Sequence, residues 1–214
     1  MSEKSYIAIE GVIGAGKTSL SGLLAERLGS RLVLEEVEEN PFLEEFYGDM
    51  RGYAFQTQIF FLLSRFRQQQ KLMQRDLFST RVVSDYIFAK DKIFANLNLS
   101  DKELSLYDRL VVIIEKEIPR PEAVVYLQAN TEFLMERIKS RGRNFEKGMP
   151  RDYIDVLNTA YNYFFAHYDE TPLLIVNAME VDFLHRPDQV EKLVAAIESI
   201  RPGTTHFSLK SGAK

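Results

Sequence analysis

The eight residues Gly11–Thr18, GVIGAGKT, constrain this chain more than any others. They spell G-x-x-x-x-G-K-[ST] between an apolar run, Tyr6–Ile9, and leucines at helical spacing, Leu20, Leu23, Leu24 and Leu28. A buried strand, a glycine-rich turn and an amphipathic helix are the context in which this motif cradles phosphate. Glycines let the backbone wrap closely and turn its N–H groups inward, and the helix N-terminus adds positive partial charge. Gly11, Gly14, Ala15, Gly16, Lys17, Thr18 and Ser19 are therefore expected to hold a nucleoside triphosphate. Lys17 should bridge the β- and γ-phosphates, and the Thr18 hydroxyl should ligate Mg²⁺.

The remaining chain keeps alternating. Strands are expected at Leu32–Leu34, Val82–Ser84, Ala123–Leu127 and Leu173–Val176. Between them the pattern predicts a short helix from Pro41 through Tyr47, a long one over Phe55–Gln74, and one opened by the capping box Ser100/Glu103 and running to about Glu117. Further helices are expected at Thr131–Ser140 behind the N-cap Asn130, at Tyr153–Tyr168, and over residues 187–200. The implied fold class is α/β, a P-loop kinase with a central five-stranded parallel sheet, helices on both faces and an arginine-rich lid. Neither a repeat nor a linker interrupts it, so one domain is expected over 1–204, with the lid at about 141–150 and a flexible tail over 205–214. Ligands of such sheets sit at the carboxyl ends of strands. Gly11–Thr18, Glu36 and Asp85 all follow strands, so one pocket should collect them.

Composition removes several functions. A formal net charge of −4 argues against polymeric nucleic acid as a partner. There is no cysteine, and His167, His185 and His206 are too scattered to form a metal site. The longest apolar runs, such as Leu110–Ile114, are too short to span a bilayer. The first strand starts within six residues of Met1, which leaves no room for a signal peptide and predicts a soluble, cytoplasmic protein. A GTP switch would carry N-K-x-D, which does not occur. A motor ATPase would end a strand in Asp-Glu, whereas here Val82-Val83-Ser84 leads into Asp85-Tyr86. That supplies a carboxylate beside Mg²⁺ without a second one to prime water, and leaves a small-molecule kinase.

A kinase acting on an alcohol needs a base near the attacking oxygen. In LVLEEVEENPF, Glu36 is expected to project from the strand end towards the loop, while Glu38 and Glu39 read as a solvated patch. Gln58 and Arg65 are seven residues apart and share a helix face, which suits a ligand, a dimer contact or a solvated edge. Arg137, Arg141 and Arg143 crowd into seven residues, and arginine forks match phosphate oxygens. The alternative for them is a salt-bridged face with Glu136 and Glu146 as partners.

Five segments, EGVIGAGKTSL, EEVEENPFLEEFY, FQTQIFFLLSRFRQQ, VVSDYIFAKDKIFA and RIKSRGRNFEKG, resemble the deoxyribonucleoside kinases, most of all bacterial deoxyguanosine and deoxyadenosine kinases. The resemblance runs from about Tyr6 to Val176 and implies 5′-phosphorylation of a 2′-deoxynucleoside by ATP with Mg²⁺, purines preferred. It implies that Glu36 takes the 5′-hydroxyl proton, Asp85 stands beside the metal, Gln58 reads the base, and Arg65 and Asp91 close over the base edge. Tyr47 and Glu146 would hold the 3′-hydroxyl, and Arg137, Arg141 and Arg143 would form the lid and, with Lys17, stabilise the transferring phosphoryl group, Arg141 also contacting the donor. One departure is plain: many members follow the metal-side acid with arginine, and this chain has Tyr86. Lys92 or Arg65 is expected to compensate. A homodimer through long helices is also implied, and Phe60–Leu63 offer apolar surface on more than one side. The alternatives are a nucleoside monophosphate kinase such as thymidylate kinase, whose acceptor pocket should hold extra arginines, and a nucleotide-binding regulatory module.

Overall fold

The computed structural model describes residues 5–73 and 81–209. The phosphate loop is set between β1 (Tyr6–Gly11) and α1 (Lys17–Leu28). There follow β2 (Arg31–Val33), α2 (Leu43–Gly48), α3 (Met50–Met73), β3 (Val82–Ser84), α4 (Lys90–Asn98) and α5 (Asp101–Ile114). The second half runs through β4 (Ala123–Gln128), α6 (Thr131–Arg141), α7 (Arg151–Ala166), β5 (Leu173–Asn177), α8 (Pro187–Ser199) and β6 (Thr204–His206). The strands form one parallel sheet in the order β2-β3-β1-β4-β5-β6.

Every residue of β1 is buried, as is all of β4 except Gln128, which is why both read as unbroken apolar runs rather than alternating ones. Helices flank the sheet: α1 packs beside α8, and α7 beside α4 and α6. The main core joins Ile7, Ile9, Leu24, Val125, Leu134, Leu157 and Leu193. A second cluster, with Phe46, Leu62, Tyr107 and Val111, holds α2, α3 and α5 together. Two expected caps are present: Ser100 and Glu103 close a reciprocal box on α5, and Asn130 accepts the Phe133 N–H at 2.8 Å on α6.

Three expectations need correction. The sheet has six strands, not five. The sixth, Thr204–His206, lies across the boundary expected for a flexible tail. Its three side chains are exposed, so no hydrophobic pattern announces it; backbone bonds hold it, from Leu173 N–H to Gly203 at 3.0 Å and from Phe207 N–H to Ile175 at 2.8 Å. The long helix begins at Met50, five residues earlier than expected, with only Asp49 between it and the end of α2. Its expected end, Gln74, and tail residues 210–214 lie outside the described residues. Among the described residues no helix is long and apolar enough to cross a membrane.

The strand order settles where chemistry can occur. β2, β3 and β1 are consecutive neighbours, so the residues that leave their carboxyl ends emerge side by side.

Candidate active site

Two glycines of the loop are required by close approach. A Cβ on Gly11 would stand 2.8 Å from the Leu127 carbonyl oxygen, and one on Gly14 (φ +89°) 2.7 Å from that of Leu134. The loop is thus pressed against β4 and α6. Lys17 reaches back across it and donates to the carbonyls of Gly11 (2.7 Å) and Val12 (3.3 Å). Burial, together with the nearby Lys90, lowers its pKa. The Thr18 hydroxyl donates to Asp85 Oδ2 at 2.7 Å, and Asp85 Oδ1 accepts the backbone N–H of Glu35 at 2.8 Å. Loop, β3 end and β2 end are therefore tied through one carboxylate.

These groups open onto a cleft also lined by Glu35, Tyr47, Phe61, Arg65, Lys90, Arg141, Arg143 and Glu146. The carboxylate that faces it is Glu35, not Glu36. Glu36 begins a turn, accepts a hydrogen bond from Ser64 Oγ at 3.1 Å and does not line the cleft. The expected projection of Glu36 towards the loop is corrected on this point: β2 ends at Val33, and the chain then bends so that the residue bonded to Asp85 turns inward. Glu35 Oε1 accepts Arg65 Nε (2.8 Å) and Nη2 (2.5 Å), and Oε2 accepts Lys90 Nζ (2.7 Å). Burial pushes its pKa up, but Lys90 and Arg65 outweigh that and hold the carboxyl well below the usual carboxylate range.

Arg65 spans the cleft floor. Beyond Glu35 it pairs with Asp91, which also accepts the Tyr107 hydroxyl at 2.7 Å, and its guanidinium lies 4.9 Å from the Phe61 ring centre. Gln58 is buried next to this pair, donating to the Asp91 carbonyl at 2.9 Å. Gln58 and Asp91 are brought to the expected end of the site, but neither lines the cleft; their polar atoms are engaged with each other's surroundings.

The lid arginines divide. Arg141 ends α6, and left-handed Gly142 (φ +67°) then turns the chain back. Arg141 pairs with Glu146, a buried carboxylate, through Nη2 and through Nε at 3.2 Å. Arg143 lies 3.6 Å from exposed Glu38. Tyr47 stacks on Phe145 with ring centres 6.5 Å apart and planes 8° apart, closing the same side. Arg137, one turn before Arg141, faces a different cleft. That second cleft is lined by Gly14, Ala15, Gly16 and Ser19 of the loop, with residues 181–184 opposite. The guanidinium of Arg137 sits 5.1 Å from the Phe133 ring centre. The loop therefore has a cleft on each side, one lined by charged groups of both signs and by aromatic rings, the other flanked by Arg137.

Of the residues proposed to stand in for the missing arginine, Lys92 turns outward to Glu115 at 2.8 Å. Tyr86 itself is fully buried and donates to Gln68 at 2.9 Å. The cation that meets the cleft carboxylate alongside Arg65 is Lys90, which was not singled out in the sequence. Its signal was modest: it precedes Asp91 at the first turn of α4. Glu10 was missed too, because it reads as part of an apolar strand; it is fully buried, and burial raises its pKa.

Thr18 and Asp85 fit a magnesium ion. They are hard oxygen donors in contact, and among the described residues no cluster of three or more His, Asp or Glu competes. Mg²⁺ is typically held by one or two carboxylates plus substrate phosphates and water, and Asp85 with Thr18 would supply the protein's share of that set.

The model of the family described as Deoxynucleoside kinase matches residues 7–201. A deoxyguanosine kinase of Bacillus subtilis is 32% identical over 205 residues, covering 94% of this chain and 99% of its own. A deoxyadenosine kinase of Dictyostelium discoideum is 35% identical over 207 residues, covering 93% of this chain and 82% of its own. Among solved structures, a deoxyadenosine kinase from M. mycoides with bound dATP superposes with a TM-score of 0.78 at 29% identity, covering 90% of this chain and 98% of that one.

Proposed function

Because this chain belongs to the deoxynucleoside kinase family and is a phosphotransferase, we propose that it transfers the γ-phosphoryl group of ATP to the 5′-hydroxyl of a 2′-deoxynucleoside, with purines preferred. The observation that carries this reading is that Lys17, Thr18, Asp85 and Glu35 meet in one cleft that Arg65 also lines, with the buried Asp91 paired behind it. The relatives named for deoxyguanosine and deoxyadenosine support the purine preference.

The donor lies along the loop, its base towards the cleft flanked by Arg137 and its phosphates on the N–H groups of Gly14–Thr18. Lys17 leaves the Gly11 and Val12 carbonyls for the β- and γ-phosphates. Thr18 and Asp85 would hold Mg²⁺, which would supply charge neutralisation at the phosphate oxygens. The acceptor lies in the other cleft with its 5′-hydroxyl at Glu35, which orients it and takes its proton. A carboxylate of low pKa suits this task, because the loose transition state of phosphoryl transfer needs proton removal only late. Gln58 and Asp91, which stand behind Arg65, would have to turn into the cleft to read the base edge, and the Tyr47 ring sits against the sugar, with Glu146 on the 3′-hydroxyl. Arg141 and Arg143 swing from Glu146 and Glu38 onto the transferring phosphoryl group, and closure excludes water. No covalent enzyme intermediate is needed.

A homodimer belongs to the same reading, through a different surface from the one expected. Leu62 is fully buried and Phe61 faces the cleft, which leaves Leu63, 48% exposed, as the outward apolar side chain of Phe60–Leu63. A broad groove between α4 and α7 instead carries Val156 and Tyr163, 51% and 70% exposed.

The test is ADP release from ATP and Mg²⁺ with deoxyguanosine, deoxyadenosine, deoxycytidine, thymidine or thymidine monophosphate, each product weighed for one added phosphate. A purine deoxynucleoside should turn over best. Turnover of thymidine monophosphate alone would move the chain to monophosphate kinases, and transfer to no acceptor would overturn the reading.

A further inference from the structure

One buried cation between donor loop and acceptor cleft has no part in the mechanism above. Lys90 opens α4, and its side chain is 4% exposed. Its ammonium lies 2.7 Å from Glu35 Oε2, 3.7 Å from Glu10 Oε1 and 5.8 Å from the Phe94 ring centre. Glu10, the last but one residue of β1, accepts the Gly11 N–H on its other oxygen at 2.7 Å, and its Oε1 also takes a long bond of 3.4 Å from the Ile87 N–H. The lysine thus stands between two carboxylates, one at the root of the phosphate loop and one in the acceptor cleft.

Burying an ammonium is costly unless carboxylates replace its hydration shell. Glu10 alone would meet that need if Lys90 were only its counter-ion, yet the shorter contact is to Glu35. The two oxygens of Glu35 are also divided between helices: Oε1 takes Arg65 from α3, and Oε2 takes Lys90 from α4. A carboxylate gripped on both oxygens from two directions has one rotamer. Among the described residues no other neighbour duplicates the grip on Oε2, since Lys92 is spent on Glu115 and Tyr86 on Gln68.

We infer that Lys90 is a positioning residue: it fixes Glu35 towards the acceptor hydroxyl and, through Glu10, ties that carboxylate to the first residue of the phosphate loop. Acceptor base and donor loop are thereby held as one body. The inference rests on the proposed kinase reaction.

The experiment is a double-mutant cycle of Lys90→Met and Glu35→Gln, read as kcat and KM for ATP and for the best deoxynucleoside. Lys90→Met should lower kcat about 100-fold, the scale of loss expected when a reacting group is misplaced by an ångström, with KM for ATP within about threefold. In the Glu35→Gln background the same change should cost less than about twofold, because residues acting as a unit are non-additive. A kcat for Lys90→Met within about threefold of the wild type, or a second full loss in the Glu35→Gln background, would overturn the inference. If Lys90→Met does not melt cooperatively, Lys90→Gln, which keeps a hydrogen-bond donor without the charge, takes its place with the same expectations. Wild-type protein that phosphorylates no deoxynucleoside sinks the kinase reading itself; active wild-type protein with an indifferent Lys90 sinks only this inference.

Discussion

Glu35 and Glu36 are neighbours in sequence and opposites in surroundings. One has both oxygens held by buried cations, and the other has a single bond from Ser64. Replacing Glu35 by Gln should lower kcat by about 10²–10⁴-fold, the usual worth of a positioned acid–base group, while Glu36→Gln stays within about threefold. Steady-state kinetics on the two variants checks this. The same residue sets an acid limit. Its carboxyl titrates below the ordinary value of 4.5 in the folded chain, so the stability it contributes is present above that value and is lost as pH falls below it. Melting temperature should therefore drop more steeply from pH 6 to about pH 3.5 in the wild type than in Glu35→Gln. The sequence could not distinguish the two glutamates. β2 is three residues long with its middle residue, Leu32, exposed, so no alternation of faces runs on into the acidic stretch to give it parity. Asp85, by contrast, was legible, because a single carboxylate directly follows its strand. Lys90 escaped notice because a lysine at a helix start ordinarily points to water.

The elements were mostly legible, and the exceptions have physical causes. Strands buried on both faces announced themselves, and so did helices with a cap and an apolar stripe. β6 did not, because its sequence, Thr-Thr-His, buries nothing and its place comes from backbone bonds to β5. It nonetheless reaches the donor side: Phe207, just beyond it, lies against Phe183, with ring centres 6.5 Å apart, and Phe183 lines the cleft beside Gly14 and Ser19. Ending the chain at Arg201 should cost about 2 kcal/mol, taking a few backbone bonds at about 1 kcal/mol each and allowing for partial rehydration. That corresponds to a melting temperature lower by about 4–8 °C in a chain of this size. It should also raise KM for ATP more than KM for the deoxynucleoside. Thermal melting and two-substrate kinetics on the truncated chain test both statements. The lid was readable from its three arginines, but not its division of labour. Residues four apart share a helix face, yet Arg137 stays on that face while Arg141 is the last residue before Gly142 turns the chain towards Glu146.

At the scale of the molecule, an apolar groove remains between α4 and α7, with Val156 and Tyr163 at its surface. Light scattering at micromolar concentration should give a dimer, and Val156→Asp combined with Tyr163→Asp should give a monomer with an unchanged melting onset of secondary structure. The α/β class follows from the alternating pattern; the strand order comes from the structure, and surface pairing is not written in the pattern either, because exposed apolar residues on one chain carry no mark of what covers them. The contact between Arg141 and Glu146 has a consequence of another kind. On the proposed reading, a group that serves the donor pairs with a group that serves the acceptor, so the protein stands in for its own ligands. Each substrate would then displace a side chain and leave the other substrate's receptor unclaimed. Linkage then requires symmetry: whatever factor bound ATP adds to deoxynucleoside affinity, the deoxynucleoside adds to ATP affinity. Calorimetry with a non-hydrolysable ATP analogue should return the same factor in either order of addition, and Glu146→Gln should bring it close to one. An enzyme so arranged answers to the joint presence of its substrates rather than to either alone.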